Sequence, residues 1–376
     1  MTVDRVQQRL MKEVFDDRKD IKKTAGRALG VVQEVIIGYL LRHNGLSNRI
    51  LLETDLPEYR PGSSEPGLTH RVEFTLHQLI STKMAAVKET KRNGRSGSYL
   101  VSKQEAEEGL DGSLKLVSNL GLGGIYLFSI PFKQKSSIDF SSAGVFHVAE
   151  CVSDKQCEIR TLSAAPVAYI ECKRVGLEEG TATGPQTIEK AKQAAYVALR
   201  SSAVQKIRTP KGLYGAFYHN MDKNFKFQPY ESVWEEIIRG RLVVPGAVRS
   251  VVFLGNMVNW FPGGVAKKDI KVLVENYDWV IWVEDAALVQ FAEDLLFRKT
   301  KVAEAFKRQH SSNRKLGERL FSKQSMWIPA HEELCSYIAS NYQTIKKKWF
   351  RVLGREKMAT DDLFLELDKL ATRGAR

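Results

Sequence analysis

A chain of 376 residues with 43% hydrophobic residues, 27 Gly and 11 Pro can bury a sizeable core and lies outside disordered and collagen-like compositions. Lys and Arg number 57 against 44 Asp and Glu, a formal net charge of +13, which favours a polyanionic partner, nucleic acid first and an anionic membrane surface second. The longest uncharged stretch, between Lys115 and Lys133, is too short for a span and is broken by Gly121, Gly123, Gly124 and Pro131, so no transmembrane helix is expected.

The chain opens with alternating charged and apolar residues and lacks the apolar run of a secretory signal, which makes the cytoplasm the expected compartment. Val6, Leu10, Val14 and Phe15 suit one amphipathic helix within residues 1–24. A stronger helix is predicted from Leu29 to His43, with Leu29, Val32, Ile36 and Leu40 on one face and Asn44-Gly45 as its stop. Glu34 interrupts that apolar run, either at a solvated helix edge or in a polar cleft.

Ile50-Leu51-Leu52 and Val72-Glu73-Phe74-Thr75-Leu76 read as strands on either side of a Pro/Gly/Ser loop. Residues 80–115, lysine-rich and centred on Gly94-Arg95-Ser96-Gly97-Ser98, read as a loop or arm. Four β-runs follow, Ile125–Ile130, Val145–Val152, Cys157–Leu162 and Val167–Cys172, separated by turn residues. A helix is predicted from about Pro185 to Arg200, with Ile188, Ala191, Ala195 and Ala198 on one face. Strands at Val251–Leu254 and Trp279–Val283 alternate with helical patterns, and residues 286–376 read as mostly helical and basic. Cys151, Cys157, Cys172 and Cys335 form neither a CxxC pair nor a zinc spacing and are expected to be core thiols.

The informative segment is Val167-Ala168-Tyr169-Ile170-Glu171-Cys172-Lys173. Strand alternation puts Tyr169, Glu171 and Lys173 on one face and Ala168, Ile170 and Cys172 on the other. A carboxylate at a strand end can bind a divalent cation, and a neighbouring ammonium can position water and neutralise a phosphate under attack. Acid-x-Lys also occurs at Asp17, Asp20, Glu89 and Asp269, but only the copy at Glu171 ends a hydrophobic strand and precedes a helix. The bland alternative is a same-face ion pair on a sheet edge.

Strand, Glu171-Cys172-Lys173, loop and amphipathic helix together resemble the PD-(D/E)XK nuclease superfamily, the fold of most type II restriction endonucleases. The resemblance covers the core rather than the whole chain, and no Pro-Asp dipeptide occurs. It implies an α/β restriction endonuclease-like core with a mixed central sheet flanked by helices, residues 29–290, between an N-terminal helical extension, 1–28, and a basic helical region, 291–376. It also implies catalysis by Glu171, Lys173 and a second acid, with Mg²⁺ held by the two carboxylates.

Three residues compete for the second acid. If Cys157–Leu162 and Val167–Cys172 form a hairpin around Ser163-Ala164-Ala165, Asp154 opens the partner strand and is the first choice for catalysis and metal binding. Asp154 equally suits the tip of the preceding hairpin. Asp139 has the apolar neighbours Ile138 and Phe140, and Glu73 fits if Leu29–His43 is the first core helix and residues 80–160 are an insertion.

Gln186, Lys190 and Gln193 form a polar stripe on the helix after the motif and are candidates for DNA contact. Arg298, Lys301, Arg308, Lys315 and Arg319, and the Lys346–Arg351 cluster with Trp349 and Phe350, suit phosphate contacts or a solvated face. The expected activity is Mg²⁺-dependent, sequence-specific hydrolysis of double-stranded DNA by a type II restriction endonuclease acting as a homodimer, with a DNA methyltransferase as its functional counterpart. The alternatives are a repair or modification-dependent nuclease of the same fold and a non-catalytic DNA-binding protein.

Overall fold

The structure, a computed structural model, describes residues 3–14, 21–57, 69–89, 99–101, 115–116, 125–129, 145–153, 156–174, 186–219, 224–255, 265–309, 330–355 and 357–372. It is an α/β protein with a mixed central sheet flanked by helices. Helix α1 (Val3–Glu13) packs on α2 (Ile21–His43), which begins eight residues before the Leu29 start expected from its spacing. Apolar residues on several sides of α2 explain its central place: Ala28, Leu29, Val32, Ile36, Ile37, Leu40 and Leu41 are all buried.

Three antiparallel strands follow. β1 (Ile50–Pro57) pairs with β2 (Thr69–Glu89), and β2 pairs with β7 (Gln156–Arg174), with Phe74 opposite Ile170 and Leu76 opposite Ala168. Between β2 and β7 come β3 (Tyr99–Val101), β4 (Lys115–Leu116), β5 (Ile125–Ser129) and β6 (Val145–Ser153), the last pairing with the first half of β7. The stretch expected as a loop from residue 80 is strand as far as Glu89.

The hairpin expected around Ser163-Ala164-Ala165 does not exist, because both of its presumed strands lie in the single 19-residue β7. The turn-like composition marks an irregularity instead. Register shifts fall at Leu76, His77 and Leu79 of β2. There the Gln78 amide donates to Ser163 Oγ at 3.0 Å, Ser163 Oγ donates to the Ala165 carbonyl at 2.9 Å, and His77 Nδ1 lies 2.7 Å from the Ser163 carbonyl. A bulge absorbs the serine and alanines while both strands continue.

After β7, helix α3 (Gln186–Arg200) lays Ala194, Ala195 and Ala198 against Tyr169, Val252 and Leu254, close packing that small side chains permit. A separate antiparallel sheet, β8 (Gln205–Thr209), β9 (Gly212–His219) and β10 (Asn224–Pro229), leads to α4 (Tyr230–Ile238). The chain then returns as β11 (Arg249–Gly255), parallel to β7. α5 (Val265–Asn276) crosses to β12 (Trp279–Val283), parallel to β11. Every residue of β11 and β12 is buried, as interior parallel strands require.

The C-terminal helices are α6 (Asp285–Phe291), continued by a π-turn at Ala292–Leu296, then α7 (Lys301–Gln309), α8 (His331–Lys348) and α9 (Thr360–Thr372). Strand β13 (Phe350–Leu353) joins the main sheet antiparallel to β12. Leu296, Phe306, Trp349 and Leu363 share one apolar cluster with α2, Phe74 and Ile170, so residues beyond 290 complete the core itself. No helix among the described residues is long and apolar enough to cross a membrane.

A buried charge network ties this assembly together at the start of β11. Arg249 Nε pairs with Glu366 of α9 at 2.6 Å, Nη1 with Asp278 at 3.1 Å and Nη2 with Glu231 of α4 at 3.3 Å. Asp278 also receives Lys206 of β8 at 3.0 Å, the Tyr230 hydroxyl at 2.8 Å and the Ser250 amide at 2.8 Å. Burial alone would raise the Asp278 carboxyl, but Lys206 and Arg249 outweigh it and hold it well below its usual range.

Asp278→Asn leaves two buried cations short of a partner and should cost about 3–5 kcal/mol in urea unfolding at neutral pH. Asp278 stays ionised in the fold after it has protonated in the unfolded chain. Its contribution is therefore lost as pH falls below the ordinary value of 3.8, and the gap between variant and wild type should narrow there.

Candidate active site

Glu171 and Lys173 lie at the carboxyl end of β7, where its parallel neighbour β11 also ends: Glu171 pairs with Val252 and Lys173 with Leu254. Alternation acts as expected, with Ala168, Ile170 and Cys172 in the core beneath α2 and Tyr169 in the cluster beneath α3. Glu171 is wholly buried, and its carboxylate lies in direct contact with the Lys173 ammonium.

Of the three candidates for a second acid, Glu73 is the one that the described residues bring to Glu171. It follows Val72 on β2, one step beyond the Phe74–Ile170 pair, so the antiparallel register carries it to Glu171. Its Oε2 accepts the Cys172 amide at 2.9 Å, and its Oε1 lies 3.5 Å from Lys173 Nζ. One lysine thus bridges carboxylates from two adjacent strands. The β2–β7 register accounts for this approach. Asp154 and Asp139 lie outside the described residues, and the hairpin that favoured Asp154 is replaced by continuous strand.

Two like charges in a desolvated space set the electrostatics. Burial, and then the adjacent Glu171, push the Glu73 carboxyl well above the usual range, with Lys173 opposing them. Burial pulls the Lys173 ammonium down, but Glu73 and Glu171 more than reverse it, and the group is held charged. Lys173 is therefore a hydrogen-bond donor and a fixed cation in this arrangement. Burial and the charges of Glu73 and Glu34 push the Cys172 thiol well up, keeping it a neutral core thiol as expected.

Glu34, half-buried on α2, is close enough for its charge to reach both Glu73 and Cys172. Of the two readings left open for it, the polar cleft is the one the structure supports. Its neighbour Gln33 went unnoticed in the sequence. Gln33 Nε2 donates to the Phe253 carbonyl at 2.9 Å and lies 3.4 Å from the Lys173 carbonyl, tying α2 to the ends of β11 and β7. Gly255 makes room for this amide, since a Cβ there would stand 2.2 Å from Gln33 Oε1. The available signal was a lone amide inside an otherwise apolar helix.

The donor set suits a hard divalent cation: two carboxylates, both drawn out of bulk water, with a mutual repulsion that such a cation would relieve. No group of three or more His, Cys, Asp or Glu able to cage a metal occurs among the described residues. Mg²⁺ nevertheless commonly rests on one or two carboxylates and completes its shell with water and phosphate oxygens.

Of the helical candidates, Gln193 is exposed on α3, while Gln186 and Lys190 belong to the same helix. The Lys346–Arg351 cluster divides: Trp349 and Phe350 face the core, Lys346 pairs with Asp361 at 2.6 Å and Arg351 with Glu284 at 2.9 Å, and Lys347 and Lys348 are exposed. Arg298 and Lys301 are exposed, whereas Lys315 and Arg319 lie outside the described residues. Comparison with protein-family models, curated proteins and solved structures finds no match.

Glu73→Gln removes one of the facing charges and should raise stability at neutral pH by about 1 kcal/mol in urea unfolding. If the paired carboxylates hold a cation, Mg²⁺ should raise the unfolding midpoint of the wild type and leave that of Glu73→Gln and Glu171→Gln nearly unchanged.

Proposed function

We propose that this protein is a Mg²⁺-dependent endonuclease with a restriction endonuclease-like core, hydrolysing phosphodiester bonds in double-stranded DNA. The carrying observation is the convergence of Glu73 from β2 with Glu171 and Lys173 from β7 on one buried point at a strand end. The order of elements supports it: α2, three antiparallel strands β1, β2 and β7, then α3 and a strand parallel to β7. That is the arrangement implied by the resemblance of the Glu171-Cys172-Lys173 segment to PD-(D/E)XK nucleases. Glu73 takes the place of the usual aspartate.

In this reading Glu73 and Glu171 would hold Mg²⁺, which would supply electrostatic stabilisation of the charge that builds on the scissile phosphate. Lys173, kept protonated by both carboxylates, donates hydrogen bonds that orient the attacking water in line and neutralise a non-bridging phosphate oxygen. A water oxygen–phosphorus bond forms as the water gives its proton to solvent, and the bond from phosphorus to the leaving sugar oxygen breaks, that oxygen taking a proton from solvent. The Cys172 amide fixes the Glu73 carboxylate, and Gln33 fixes the main chain at Lys173.

Elements outside this arrangement, such as the separate β8–β10 sheet, leave room for built-in sequence recognition, so a type II restriction enzyme is the favoured member of the class. A homodimer and a cognate DNA methyltransferase are its natural accompaniments. The net charge of +13 fits a phosphate-rich substrate.

Purified protein incubated with unmethylated plasmid and phage DNA should give discrete fragments with Mg²⁺ and none with EDTA. Lys173→Ala and Glu171→Ala should each lower the rate at least 100-fold, in line with loss of a preorganised electrostatic group. DNA left intact by a folded protein that still binds it would replace catalysis by simple DNA binding. Smearing would point to a repair-type or non-specific nuclease.

A further inference from the structure

The sheet formed by β8, β9 and β10 has two unlike faces. Leu213, Gly215 and Phe217 of β9 point inward: Phe217 is buried with Val233, Trp234 and Ile237 of α4, and a Cβ on Gly215 would stand 3.2 Å from Val204 and Val233. This face is closely covered. The opposite face carries Ile207, Tyr214, Tyr218, Phe225 and Phe227, placed together by the register that sets Tyr218 against Phe225 and Ile207 against Tyr214. Phe225 is 74% exposed, Phe227 51%, Ile207 40% and Tyr218 39%.

These rings are organised among themselves. Tyr214 and Phe227 stack with centroids 4.6 Å apart and planes 7° from parallel, while Tyr218 meets Phe225 edge-on at 5.6 Å and 70°. Successive outward positions on a strand are about 7 Å apart, so Phe225 and Phe227 form consecutive flat stations along β10. A contiguous exposed apolar patch on a folded domain marks a binding surface. The aromatic rather than aliphatic character of four of its five members favours a planar π-system over a greasy helix or acyl chain.

Charge narrows the choice. From Gln205 to Pro229 the sequence carries Lys206, Arg208, Lys211, Lys223 and Lys226 against the single acid Asp222. Lys206 turns into the Asp278 network, and Arg208 pairs with Glu275 at 3.3 Å, while Lys211 is exposed at the β8–β9 turn. Flat aromatic stations with an exposed lysine at the adjoining turn suit unpaired bases on a phosphate backbone.

We propose that the outer face of this sheet, Tyr214, Tyr218, Phe225 and Phe227, is a stacking platform for unpaired bases of single-stranded DNA. The platform deepens the nuclease reading, on whose nucleic-acid substrate it rests. It gives the protein a second hold on a strand locally opened or already cut, separate from the carboxylate site.

The test is fluorescence anisotropy with labelled oligothymidylate in EDTA, on the full chain and without turnover. Wild type should bind, Phe225→Ser/Phe227→Ser should lose about tenfold or more per ring removed, and Phe225→Trp should retain or tighten binding. Both Phe positions are exposed, and equal urea midpoints for wild type and variants would confirm that folding is intact. Absence of binding by the wild type, or unchanged affinity in the double variant, would overturn the platform. Tighter binding to oligouridylate than to oligothymidylate would overturn the assignment to DNA. Conversion of a dimer to a monomer by the double variant, with affinity for oligothymidylate unchanged, would assign the face to contact between copies. Failure of the nuclease reading is distinguished by the cleavage assay alone, since the anisotropy is measured in EDTA and needs no turnover.

Discussion

One lysine held between two carboxylates on adjacent strands is the constraint on which the site depends. Glu171 is fully buried, and a buried carboxylate persists only when something compensates its lost hydration. Lys173 does so for Glu171, but Glu73 then approaches the same ammonium and raises the electrostatic cost again. Two facing carboxylates carry a mutual repulsion that a purely structural ion pair does not need. They are a sound arrangement for receiving a further cation, and the structure around them is built to keep them close.

Much of the surrounding fold serves that closeness. The β2–β7 register delivers Glu73 to Glu171, and the Cys172 amide holds it there. Parallel pairing with β11 buries Glu171 on its other side, and the closely packed alanines of α3 cover neighbouring Tyr169 and Val252. Gln33 spans the seam between β7 and β11 with its two carbonyl contacts, at a point where Gly255 alone leaves room for the amide. Loosening any one of these would move a carboxylate by a fraction of its contact distance, and the repulsion between the two would widen the gap further.

What the sequence reveals of this follows the range of each signal. Glu171 and Lys173 stand out because strand alternation is local, and the small apolar residues before them make the strand plain. The α3 alanine face and the buried strands β11 and β12 are legible for the same reason. Glu73 was only one of three candidates, since it stands 98 residues before Glu171, and a register at that distance leaves no local trace. Ser163-Ala164-Ala165 misled because turn-forming composition also suits a bulge, and only the partner strand, with Gln78 and His77 hydrogen-bonded to Ser163, decides which it is. The membership of β13 and α9 in the core was equally hidden, as basic and amphipathic patterns do not say which apolar face a helix will meet.

The two buried charge clusters lie at opposite ends of β11 and differ in balance. At its start, Asp278, Glu231 and Glu366 meet Lys206, Arg249 and Arg355, three acids against three bases, and both Asp278 oxygens are hydrogen-bonded. Such a closed cluster has no electrostatic use for an added ion, and its partners come from β8, α4, α9 and the turn before β12, so its role is to lock separate elements together. At the carboxyl end the same sheet carries two carboxylates and one ammonium. In an α/β sheet the carboxyl ends of parallel strands are where the chain leaves room for a ligand. Two facing carboxylates there, whose burial is costly, have a physical rationale as a cation site. That geometry supports the proposed role of Glu73, Glu171 and Lys173 apart from the resemblance of the motif.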